Sequence, residues 1–196
     1  MKYKLPKHYG EITLRQMVAY MESKTQVQQL MAITGFPQLH VVDFKQKEAD
    51  LIVESFSSAS NYGTPRHEQT FLIDGMRLGF IPDLDAMSLR EYIDIDSFAK
   101  EIWKGGDIIN YKFLPDLLAI LFRPVKEMLG EYYTIEPYNV DNVARYRRYI
   151  ESMTMDRVNG AMVFFSNLLS DLVVSSLDYL TEETMRTMST LQPQAD

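Results

Sequence analysis

The chain has 196 residues, with 20 Lys and Arg against 27 Asp and Glu, a formal net charge of -7 at pH 7, and no cysteine. A chain of this size buries roughly 70% of the surface its unfolded form exposes, and 46% hydrophobic with 24% charged residues is a globular composition, so one domain, or one domain with an appendage, is expected. Absent cysteines exclude disulfides, thiolate metal sites, iron–sulfur clusters and a cysteine nucleophile. No apolar run approaches the ~18 residues of a membrane span, and the start, MKYKLPKHYGE, lacks the apolar stretch of a signal peptide; a soluble protein with no membrane partner, not secreted by that route, is expected.

The first 59 residues read as helical. Thr13-Leu14-Arg15-Gln16 fits a capping box, and Leu14, Met17, Val18 and Met21 follow at helical spacing, which predicts one helix from about Thr13 to Ile33, ended by Gly35 with Pro37 beyond. A second capping-box pattern, Asp43-Phe44-Lys45-Gln46, precedes Leu51, Ile52 and Phe56, read as one buried stripe. The segment SSASNYGTPRHEQ, 57–69, has Ser, Asn, Gly and Pro without apolar periodicity and reads as an exposed connection and the candidate boundary. Asp74-Gly75 lies between the apolar runs 70–73 and 76–81, the strongest short hairpin signal, because a type I′ turn needs positive φ at both central residues. Pro82 ends the second arm.

Ser88-Leu89-Arg90-Glu91 opens a predicted helix through Leu89, Tyr92, Ile93, Ile95, Phe98, Ile102 and Trp103 to Gly105-Gly106. Pro115 reads as a first-turn proline of a short buried helix that runs through Phe122 until Pro124 stops it, with Arg123 placed to cap its carboxyl end. Glu131 to Glu136 is rich in β-formers and predicts a strand added to the hairpin. Asp141 reads as the cap of a basic helix through Ile150. The stripe Ala161, Phe164, Phe165, Leu168, Leu169, Leu172, Leu177 and Leu180 predicts a long final helix over 155–180, and beyond Thr181 the density of large apolar residues falls.

Little of this carries reactive chemistry. His8, His40 and His67 are far apart in the sequence with no metal-ligand spacing, and no Gly-x-Ser-x-Gly elbow or phosphate-cradling glycine loop occurs. Asp83 with Asp85, and Asp94 with Asp96, each bracket one residue as some divalent-metal motifs do; the plainer reading is a helix-starting turn and a solvated face. Arg145-Tyr146-Arg147-Arg148-Tyr149 could contact phosphates and bases, but a chain charge of -7 repels nucleic acid and favours acidic neighbours or an acidic patch on a partner. Of twelve methionines, Met185 and Met188 stand in the sparse tail, where methionine suits an adaptable partner-binding helix better than a core.

The order of four segments, FLIDGMRLGFIPDLDAMSLREYIDI, DLLAILFRPV, YYTIEPY and GAMVFFSNLLSDLV, resembles a group of small proteins of tailed double-stranded DNA bacteriophages, notably crAss-like and other phages of Bacteroidetes hosts. The resemblance spans about residues 70–175 and touches neither the N-terminal helices nor the tail. It implies a non-enzymatic virion morphogenesis protein similar to tail assembly chaperones, with other phage structural or tail proteins, or further copies of the chain, as partners. Host cytoplasm during assembly, or the virion itself, is the implied location. A stable virion subunit of a neck, connector ring or tail is the alternative in that class. A metal-dependent enzyme using Asp83, Asp85, Asp94, Asp96 and His67 is the alternative outside it.

The expected fold class is α+β, mainly helical, with a small antiparallel sheet from 70–81 and 131–136 packed on the 113–122 and 155–180 helices. The expected organisation is a single domain over 1–196, with an N-terminal helical segment at 1–59, a hairpin-plus-helices core at 70–180 and a tail at 181–196. The expected contact residues are Arg145, Arg147, Arg148, Met185 and Met188, with no catalytic residue, metal or cofactor expected.

Overall fold

The computed structural model describes residues 3–61, 63–83, 86–104 and 109–166. The fold class is α+β, mainly helical, as the sequence predicts, and the sheet has four antiparallel strands in the order β1-β2-β3-β4. The helices are α1 (Leu14–Met21), α2 (Gln26–Thr34), α3 (Gln38–Val41), α4 (Gln46–Ser60), α5 (Leu89–Ile102), α6 (Leu114–Leu121) and α7 (Val140–Ile150), followed by α8 over 155–166. The strands are β1 (Thr70–Ile73), β2 (Met76–Phe80), β3 (Phe122–Leu129) and β4 (Tyr132–Ile135).

The predicted single helix over 13–33 is two helices. The Thr13 box forms, with its hydroxyl accepting from the Gln16 N–H and the Gln16 side chain accepting from the Thr13 N–H. The chain then breaks after Met21, and Thr25 caps α2 by accepting from the Gln28 N–H. Folding back lets Leu14 and Met17 share a core with Leu30 and Ile33, which one straight helix would have carried out of reach. Gly35 ends α2 with φ +70°, as expected of a left-handed C-cap. The second predicted capping box does not form: α4 starts at Gln46 behind Lys45, without a side-chain cap. Ile52 and Phe56 are buried as predicted, but Leu51 is exposed.

Asp74 and Gly75 have φ of +47° and +77°, the signature of the predicted I′ turn, and β1 pairs with β2 from Thr70–Gly79 to Ile73–Met76. One face of this sheet carries Phe71, Leu78, Phe80 and Phe122 into the core. Phe122 lies between Phe71 and Phe80, with ring centroids 5.2 and 5.1 Å away, and Phe164 of α8 closes on Phe80 at 5.1 Å. Gly160 of α8 lies so close to the connection before β1 that a Cβ there would sit 2.2 Å from the Arg66 carbonyl oxygen. The Arg66 N–H donates to the Asp156 carbonyl on the same helix.

Helix α6 is the centre of the core, with Leu114, Pro115, Leu117, Leu118, Ala119, Ile120 and Leu121 all buried. Each of its large apolar side chains contributes on the order of 1.5–3 kcal/mol. The N-terminal helices belong to the same buried cluster, which runs from Tyr9 to Phe165. Backbone bonds tie them to the turn before α8: the Leu14 N–H donates to the Met153 carbonyl and the Met155 N–H to the Ile12 carbonyl.

Two corrections concern the stretch after α6. Pro124 does not stop a helix; α6 ends at Leu121, and Phe122 enters β3 directly. Pro124 is tolerated inside the sheet because its carbonyl accepts from the Glu136 N–H, so its nitrogen faces chain beyond the end of β4, where no ladder donor is required. The strand predicted at 131–136 is β4, but it joins the sheet through β3 rather than by pairing with the hairpin. In α7 the cap is Asn139, which accepts from the Asp141 N–H, and not Asp141. The predicted end of α5 at Gly105-Gly106 and the course of the final helix beyond Ser166 lie outside the described residues.

Candidate functional site

Strand β3 pairs with β2 only through Phe122, Arg123 and Pro124. From Val125 onward its sole partner is β4, so 125–135 forms a two-stranded arm that projects past the three-stranded root. Gly130, with φ +63°, and Glu131 make its tip, the glycine standing where a type II′ hairpin turn needs it. The register shifts between Val125 and Glu127, a bulge that re-aims the arm as it leaves the root.

The register sets Leu129 opposite Tyr132 and Glu127 opposite Thr134, and strand alternation puts these four on one face. All four are exposed, and Leu129 and Tyr132 are each 82% accessible. The same face at the root carries Phe122 and Pro124 into the core; at the tip nothing in the chain's described residues covers it. On the opposite face Tyr133 and Ile135 lie over Gly79, where a Cβ would come within 2.6 Å of the Tyr133 ring. The Tyr133 hydroxyl donates to the Phe80 carbonyl at 2.8 Å, fastening the arm to β2.

The root is anchored electrostatically. Arg123 is not a helix cap as predicted: it is buried in β3 and pairs with buried Glu91 on α5, Nη2 to Oε1 2.8 Å. Ser88 caps α5 by accepting from the Glu91 N–H, which leaves the Glu91 carboxylate for the arginine. Burial pulls the Arg123 guanidinium below its ordinary value, and the Glu91 carboxylate opposes that pull. Around the pair, the Tyr138 hydroxyl donates to Asp94 at 2.5 Å, the Arg123 guanidinium lies 6.0 Å from the Tyr138 ring, and the Tyr146 hydroxyl donates to Glu136. Burial and the Asp94 carboxylate push the Tyr138 hydroxyl well up. Burial and the Glu136 carboxylate push Tyr146 up to about 12. A cleft of about 240 Å3 beside the pair is lined by Asp83, Met87, Tyr133 and Thr134 among others.

The three arginines nominated from sequence separate. Arg147 is engaged within the chain, bonding both Asp116 oxygens at 2.8 Å and Glu151 at 3.0 Å. Burial of Asp116 raises its carboxyl above the ordinary value although Arg147 acts in the opposite sense. Arg148 lies over the Tyr149 ring, 4.6 Å from its centroid, and donates to that hydroxyl. Arg145 is exposed on the outer side of α7. Met185 and Met188 lie outside the described residues.

The acidic residues are separately engaged: Asp94 is taken by Tyr138, Asp96 accepts from Lys100 one turn on, and Asp83 lines the cleft beside the Glu91–Arg123 pair. Asp85 lies outside the described residues. His67 stacks on Phe164 with centroids 4.3 Å apart. Among the described residues no three His, Cys, Asp or Glu are grouped to hold a metal ion, and no helix is long and apolar enough to cross a membrane.

Of the arm's two strands, β4 is the predicted one, while β3 is not legible in the sequence because KEML has neither β-branched residues nor alternation. Arg-Pro after an apolar helix also reads as a terminus. The signal that was present is Gly130-Glu131 between FRPVKEML and YYTI, a two-residue glycine turn. A second cluster of exposed apolar side chains lies on α5, where Leu89, Tyr92 and Ile93 are 75, 50 and 52% accessible at helical spacing. No family model, curated protein or solved structure matches this chain.

Proposed function

We propose that this chain is a non-enzymatic assembly protein that works through protein–protein contacts, and, from its resemblance to proteins of tailed bacteriophages, that it serves virion morphogenesis in the manner of a tail assembly chaperone. The observation that carries the reading is the projecting β3–β4 arm with Leu129 and Tyr132 in solvent on a face that is core at its root. An isolated two-stranded hairpin is marginal in water, and a paired apolar tip on a rigidly anchored arm suits a partner's surface better than solvent. The buried Glu91–Arg123 pair supports the same reading, since it fixes the arm's root against α5.

The test is purification with the products of neighbouring genes, repeated with Leu129→Ser/Tyr132→Ser, together with a search for the chain in finished particles. Capture of a tail protein by the wild type, lost in the variant, with the chain absent from particles, supports the chaperone reading. Stoichiometric presence in particles makes it a stable virion subunit instead. No partner and no particle association overturns the assembly reading.

A further inference from the structure

We infer that the arm of one molecule docks on the outer face of α7 in a second copy of the same chain. This deepens the assembly reading and rests on it, because it names the partner of the same arm.

The arm's docking face offers an apolar pair, Leu129 with Tyr132, flanked by Glu127 on that face and Glu131 in the turn. Neither glutamate has an ion-pair partner among the described residues, and both are exposed. Lys126, at the bulge, is the arm's one positive charge, so residues 125–135 carry one positive and two negative side chains.

Helix α7 supplies the complement. Its inner side is buried through Tyr146, Tyr149 and Ile150. Val140, Ala144 and Arg148, at i, i+4 and i+8, with Arg145 beside them, form an exposed stripe on the other side. Val140 is 43% accessible, and Arg145 makes no ion pair among the described residues. Arg148 is held in place by Tyr149 without having its charge neutralised. An apolar patch of two side chains between carboxylates thus has, on the same molecule, a matching stripe of Val and Ala beside two guanidinium groups. Arginine forks suit carboxylates, and complementary charge fixes register as well as attraction.

Because the arm and the α7 stripe are different surfaces, the contact is made either reciprocally in a dimer or head to tail around a ring. Arg147 takes no part: Asp116 and Glu151 already hold it.

The experiment is a charge swap read by sedimentation velocity over a concentration series. The wild type is expected to self-associate, more weakly in high salt. Glu127→Arg/Glu131→Arg and, separately, Arg145→Glu/Arg148→Glu are each expected to weaken association at least about tenfold while circular dichroism stays unchanged. Mixing the two variants is expected to restore it, since each then presents the other's complement in both contacts. A wild type that stays monomeric at every concentration, or a mixture that fails to restore association, overturns the inference. If such a monomer still captures a tail protein through Leu129 and Tyr132, the assembly reading stands without it; if it captures nothing, both fall.

Discussion

Glu91 and Arg123 lie 32 positions apart in sequence and meet as an ion pair at the root of the arm, 2.8 Å apart with side chains 5 and 7% exposed. Both charges have left water to reach that position, and the Arg123 Nε has no hydrogen-bond partner among the described residues. The pair therefore fixes α5 against β3 without being an efficient source of stability.

Removing one partner leaves the other charge buried and uncompensated. Glu91→Gln or Arg123→Met is expected to lower unfolding free energy by about 3–5 kcal/mol, whereas Glu91→Leu/Arg123→Met together cost far less than the sum of the two. Urea denaturation of the three variants checks this; additive losses would show that the two residues do not act as a pair.

Gly160 faces backbone rather than a movable side chain, with the Arg66 carbonyl oxygen 2.2 Å from where a Cβ would lie. Gly160→Ala is expected to destabilise by about 1–3 kcal/mol through this overpacking. Faster proteolysis within 63–69 should accompany it, because the connection, which begins only after α4 ends at Ser60 and not at the predicted residue 57, must lift off α8 to make room. Limited proteolysis with mass spectrometry reads the site.

Tyr146 ionises at about 12 in the folded chain against the ordinary 10, its hydroxyl being buried beside Glu136. Between these values the unfolded state has lost a proton that the native state still holds, so the stability this group contributes is complete below pH 10 and is lost as pH rises through 12. Tyr146→Phe is expected to make the fall of unfolding free energy with pH shallower by about one proton across that window. Denaturant titrations from pH 9.5 to 12 measure the slope.

The arm's tip stands clear of the core, with Leu129 and Tyr132 each 82% accessible. Leu129→Ser/Tyr132→Ser is expected to change the stability of the isolated chain by no more than about 0.5 kcal/mol per site. A larger loss in thermal unfolding would mean that the tip packs on its own molecule in solution.

At the helix start, the Thr13 hydroxyl and the Gln16 side chain satisfy each other's backbone N–H groups. Thr13→Ala is expected to cost about 1 kcal/mol, and Thr13→Ser to preserve most of the cap. Equilibrium unfolding of the two variants makes the comparison.

The sequence by itself determined those features whose cause is local. A hydroxyl three residues before a glutamine or glutamate at the start of an apolar-periodic run caps a helix, and Asp-Gly between apolar runs turns a hairpin, because φ and local hydrogen bonds decide both; Thr13, Ser88 and Asp74-Gly75 were legible for that reason. The α+β class and the buried α6 followed from periodicity and from a run of apolar residues too dense to face water. The start of α2 was marked locally by Thr25 and Gln28, but only the tertiary structure decided that the chain folds back there, since the gain lies in packing Leu14 and Met17 against Leu30 and Ile33, contacts no local window contains. It also decided that Phe122–Leu129 is a strand despite Pro124 and a helix-like KEML. That outcome depends on where the proline nitrogen points and on β2 and β4 being present to pair with it. The candidate contact surface divides in the same way. Arg145 and Arg148 stand out in sequence as an unusual cluster of charge, but which arginine is engaged internally was settled by the placement of Asp116 and Glu151. The exposure of Leu129 and Tyr132 was settled by how far the arm outruns the core, a quantity that belongs to the sheet and not to any residue in it.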